Sequence, residues 1–135
     1  MNPTRITLGL LLILAGVLHF ITPGTYEAMM PNWLPLHREA VLLSGLAEII
    51  GGVALVVERW KRFGCWWSIA LLIAVFPANI EMAISPNEVG WVRDQGFPDW
   101  ALWVRLLLQP LLMYLIWWSC DRPSLTGRRV PADTR

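Results

Sequence analysis

Charge is what this chain has least of. Only 16% of its 135 residues are Asp, Glu, Lys or Arg, against about a quarter in a soluble domain, and 56% are hydrophobic. That composition fits lipid as solvent, and the net charge of +1 gives no reason to expect nucleic acid as a partner. Thiols and imidazoles are scarce too, with two of each. Cys65 and Cys120 lack C-x-x-C spacing and sit at ends of apolar runs expected to face a reducing cytoplasm, which argues against a disulfide-generating centre and leaves them as small interfacial residues. His19 is the only histidine inside an apolar run, because His37 falls in a connection, so two axial haem ligands are not on offer. No metal site is predicted from His19, Glu48 and Glu81. The chain has no phosphate-cradling glycine loop, no G-x-S-x-G elbow, no repeat and no low-complexity tract. No A-x-A-like cleavage site follows the first apolar run, so it reads as a span and not as a secretory signal.

What is present is four long apolar runs, about 6–22, 40–57, 63–84 and 101–119. Each approaches the ~20 residues that cross a hydrocarbon core at 1.5 Å per residue. Stretches such as LLIAVFPANI and LLLQPLLMYLIWW lack the polar stripe of a water-facing helix. The expected fold is an all-α, integral membrane antiparallel four-helix bundle over residues 1–120, followed by a polar cytoplasmic tail, 121–135.

Basic residues orient it. Arg5, Arg59, Lys61, Arg62, Arg122, Arg128, Arg129 and Arg135 flank one end of the spans and only Arg38 and Arg93 the other. Eight against two places both termini in the cytoplasm, in a multi-pass protein of the inner membrane. The nine tryptophans divide likewise, Trp33, Trp91, Trp100 and Trp103 at the outer ends and Trp60, Trp66, Trp67, Trp117 and Trp118 at the inner ends, as interfacial belts require. The inner connection Glu58–Arg62 is short enough to make the second and third spans antiparallel neighbours. The outer connection PGTYEAMMPNWLPLHRE mixes three prolines with Tyr26, Met29, Met30 and Trp33, which predicts a short amphipathic turn in the interface, placed to act as a lid.

Each span carries strongly polar residues: His19, then Glu48, then Asn79 with Glu81, then Arg105 with Gln109. By helix rise all fall in the outer half of the membrane, Glu48 and Gln109 deepest. Ser44, Gly45, Glu48, Gly51 and Gly52 recur at helical spacing, so Glu48 lies on a small-residue face where another helix can approach. Gly9, Gly16 and His19 share one side of the first span, and Arg105 and Gln109 one side of the fourth. In the third, Glu81 follows the small stripe Ala70, Ala74 and Ala78, whereas Asn79 is about 200° away at 100° per residue; one of the two should be central. An ionisable residue at mid-bilayer costs ~2.5 to 3.5 kcal/mol on insertion scales and normally finds a partner. Glu48 and Arg105 are the expected pair, in direct or water-bridged contact. The cluster can lock the helices in register or form an outward-facing pocket for a small molecule; catalysis by this chain alone is the less favoured reading.

The segments AGVLHFITPGTYEAMMPNWLP, SGLAEIIGGVAL, AVFPANIEMA and VRLLLQ, in that order, resemble the DoxX-like small membrane proteins, with a departure at Leu107, where a proline is expected. The resemblance spans roughly 19–109 and its motif positions include His19, Glu48, Asn79, Arg105 and Gln109. It implies a four-helix membrane protein that acts as a subunit or small-molecule binder. It also implies a membrane or redox protein partner and, as an alternative, a quinone-linked redox component with quinone as cofactor. Transport by four short spans would require a homo-oligomer.

Overall fold

The computed structural model describes residues 2–27, 30–84 and 98–121. Among these the chain is all-helical. Four long helices, α1 (Pro3–Ile21), α3 (His37–Val56), α4 (Lys61–Ile84) and α5 (Asp99–Asp121), are joined by a short helix, α2 (Pro23–Glu27), and a 3-10 turn, Glu58–Trp60. All four long helices are long and apolar enough to cross a membrane. They begin two or three residues before the apolar runs; at α1, Asn2 accepts from the Thr4 backbone N–H, and Pro3, with no N–H to leave unpaired, opens the helix. The outer connection folds as α2 and two turns, Met30 N–H to Glu27 O and Leu34 N–H to Pro31 O. Met29, the second outer loop with Trp91 and Arg93, and the tail with Arg122, Arg128, Arg129 and Arg135 lie outside the described residues.

Neighbouring long helices run antiparallel. Between α1 and α3 the seam is built on glycine. A Cβ on Gly16 would stand 2.5 Å from Gly45 O, and one on Gly52 2.5 Å from Gly9 O, so no larger residue fits without separating the backbones. Between α3 and α4 the same device uses Gly64 against Ala54 and Leu55, while the Trp67 indole donates to Ala47 O at 2.8 Å. Gln109 of α5 reaches back to Leu72 O of α4.

The core is two small clusters with a gap between them. At the end where α1 begins, Leu8, Leu55, Cys65 and Ile116 pack together; at the opposite end Met82, Ala83 and Leu102 do. The terminal end is further tied by Asn2 Nδ2 donating to Ser119 O at 2.9 Å. There, too, the buried Arg5 pairs with Glu58, which also holds Lys61. Cys65 and Cys120, expected as separate interfacial residues, are instead joined by a disulfide, their Cα atoms 6.5 Å apart. No local motif announced the pair because it spans 55 residues; antiparallel packing of α4 on α5 brings it together. Outside this framework the long helices present leucine, isoleucine and tryptophan outward, among them Leu14, Leu43, Trp66, Ile73 and Leu107.

Candidate functional site

Between the two clusters lies a cavity of about 530 Å³ walled by all four long helices. That volume is within the ~300–1,000 Å³ of small-molecule sites. Its walls are apolar, from Leu72, Val75, Leu108 and Leu112 among others, and its polar groups are His19, Tyr26, Ser44, Glu48, Asn79, Arg105 and Gln109.

His19 is buried where α1 crosses α3, and its Cβ fills the space a side chain at Gly45 would need. Its Nδ1 lies 2.8 Å from Ala15 O. A carbonyl can only accept, so the neutral ring carries its proton on Nδ1 and its lone pair on Nε2. The same nitrogen is 3.6 Å from Glu48 Oε2. That oxygen is buried and has no hydrogen-bond partner, which is costly unless something else supplies one. Tyr26, from α2, stacks on the His19 ring with centroids 3.8 Å apart and planes 20° from parallel. Burial, and after it the charge of Glu48, raise the Tyr26 phenol above its ordinary 10, while Arg105 pulls the other way. The phenol is therefore a neutral donor at physiological pH.

On the opposite wall Asn79 Nδ2 donates to Gln109 Oε1 at 2.7 Å, and Gln109 Nε2 donates to Leu72 O at 2.5 Å. This relay holds the buried Gln109 rigidly. Arg105 Nη1 donates to Met82 Sδ at 3.3 Å, and its charge acts across the cavity on Tyr26 and Glu48. Glu48 and Arg105 thus share one cavity with an imidazole, a phenol and two amides.

Of the six residues nominated from sequence, His19, Glu48, Asn79, Arg105 and Gln109 line this cavity and Glu81 does not. At 100° per residue, Asn79 and Met82 stand within about 40° of the cavity-lining Val75. Ala74 and Ala78 of the small stripe also line the cavity, but Glu81, beyond them on the same stripe, does not. Tyr26 was read only as part of a lid segment; its signal is a PG turn that carries the chain back over His19 seven residues later. Among the described residues no group of three His, Cys, Asp or Glu side chains could hold a metal ion.

No curated protein and no solved structure matches the chain. The DoxX-like resemblance does not stand, because the family model that matches is a different one; small-residue stripes broken by one or two polar groups recur wherever apolar helices enclose a polar space. The family whose sequence model does match, over residues 8–120, is described as a domain of unknown function, DUF8561, and it is to this family that the chain belongs.

Proposed function

We propose that this protein spans the inner membrane four times, with both termini cytoplasmic, and binds a small molecule in the polar cavity, serving as a binding subunit more than as an enzyme in its own right. The membrane setting is supported by the four apolar helices and by the large side chains they turn outward, which no water-facing bundle would expose so widely. The orientation rests on the eight basic residues at the terminal end. In that orientation the cavity lies towards the outer face.

One observation carries the binding reading. Glu48 Oε2 is buried without a hydrogen-bond partner in a cavity that also holds Arg105. A network serving only to lock helices would be expected to close on itself, as the Asn79, Gln109 and Leu72 relay does. An open acceptor beside empty volume is the mark of a site.

Purification in native lipid, followed by mass spectrometry of co-purified small molecules, tests this. The expected result is a defined molecule retained by the wild type and lost from the Glu48→Gln, Arg105→Leu double variant, with an unchanged unfolding midpoint. A quinone among the retained molecules would make the protein a redox component. Loss of stability in the double variant with nothing retained by either protein would reduce the cluster to a register lock.

A further inference from the structure

The cavity has one weak wall. The α1–α3 seam is closed by glycines at Gly9 and Gly16, the α3–α4 seam by Gly64 and Trp67, and the α4–α5 seam by the relay through Gln109. Between α1 and α5 the contacts gather at the terminal end, where Asn2 donates to Ser119 O and Leu8 and Leu12 pack with Ile116 and Leu115. Two turns further along the same face of α1, Ala15 and His19 line the cavity; two turns back along α5, Leu108 and Gln109 do. The facing stripes of these helices meet at one end and border empty space at the other.

The flanks of that gap are apolar and uncovered. On α1, Leu11 and Leu18 lie on the side of Ala15 away from the glycine seam and are 54% and 38% exposed; on α5, the cavity-lining Leu108 and Leu112 are 48% and 37% exposed. In a bilayer these four leucines would stand against acyl chains. On the outer side α2 stacks Tyr26 on His19, with Met30 and Leu34 also on the cavity wall. Among the described residues, α2 lies over the outer side of the cavity and exposed leucines flank its α1–α5 side.

We propose that the ligand is an uncharged, hydroxyl-bearing amphiphile that reaches the cavity sideways from the lipid between α1 and α5. Its head lies at Glu48 and its apolar chain between Leu11 and Leu112. This rests on reading the cavity as a binding site in a membrane-spanning bundle. The head follows from the lining: Glu48 Oε2 is a buried acceptor with no hydrogen-bond partner, and a hydroxyl donates to it. A charged head would carry its charge into a low-dielectric space and lose more hydration than a hydroxyl does.

The test measures binding of radiolabelled 1-decanoylglycerol to the protein in phosphatidylcholine nanodiscs, with empty nanodiscs as background and free glycerol as competitor. The expected result is saturable binding that glycerol does not displace. Glu48→Gln should weaken it about tenfold, and Leu112→Trp, which puts bulk on the α5 edge of the cavity, should slow association several-fold. Displacement by glycerol at similar concentrations would overturn the lipid route and keep the site. Absence of saturable binding, with a charged molecule co-purifying and lost in the double variant, would overturn the ligand class and keep the site. Binding insensitive to both substitutions would be adsorption to the surface and overturns the proposal. If neither probe binds and nothing co-purifies, the site reading itself fails.

Discussion

At the scale of single residues, Gln109 is the side chain that most directly ties structure to site. It accepts from Asn79 and donates to Leu72 O while almost wholly buried. Gln109→Leu keeps the volume and removes both bonds, leaving the Asn79 amide without its acceptor. A loss of about 1 kcal/mol is expected, near the range found for interhelical bonds in membranes. Unfolding in graded SDS would measure it, and a Gln109→Leu, Asn79→Leu double variant should recover part of the loss because the stranded donor is gone. Sequence alone could nominate Gln109 and Glu48, since a polar group in an apolar run has few places to go. It could not rank Asn79 over Glu81, because that choice depends on which face of α4 borders a void, and a void leaves no trace in composition. Nor could it find the stacking of Tyr26, which arises from how α2 folds back over α1.

At the scale of elements, the four helices were legible from the lengths of the apolar runs, with each start misplaced by two or three residues because the helix takes in residues that precede its run. Their pairing was partly legible. Gly9 and Gly16, like Gly45 and Gly52, are seven apart, and each set marks the face where α1 and α3 touch. Gly16→Ala would drive a methyl to 2.5 Å from Gly45 O, an overpacking expected to cost about 1 to 3 kcal/mol. The same substitution at Gly24, which has open space around it, should leave the SDS midpoint within about 0.5 kcal/mol. Equal effects at the two positions would mean that the seam does not hold the helices together. The disulfide between α4 and α5 was invisible for the opposite reason: it follows from tertiary proximity of residues with no sequence signature.

For the whole molecule, that disulfide and the charge distribution make contrary demands. The proposed orientation, which rests on eight basic residues, puts the terminal end where thiols are kept reduced, whereas Cys65 and Cys120 at that end are joined. With the termini cytoplasmic, Cys65 and Cys120 should be thiols in growing cells and pair on purification in air. Because Cys65 is buried, cells should be quenched in acid and the protein unfolded before labelling: maleimide should then label both cysteines without reductant, whereas protein purified in air should label only after reduction. Cysteines already resistant in cells would place the terminal end outside and reverse the proposed orientation. The two halves of the bundle also differ in mechanical character. The glycine repeat between α1 and α3 admits no slide short of a full seven residues, so that wall is stiff. Pro77 and Pro110 interrupt α4 and α5 beside the cavity, and each removes a backbone hydrogen bond where a helix bends most easily. Any breathing of the cavity must therefore be one-sided, with α5 flexing against a fixed α1, and a ligand would be released by the compliant wall while the stiff one keeps its shape.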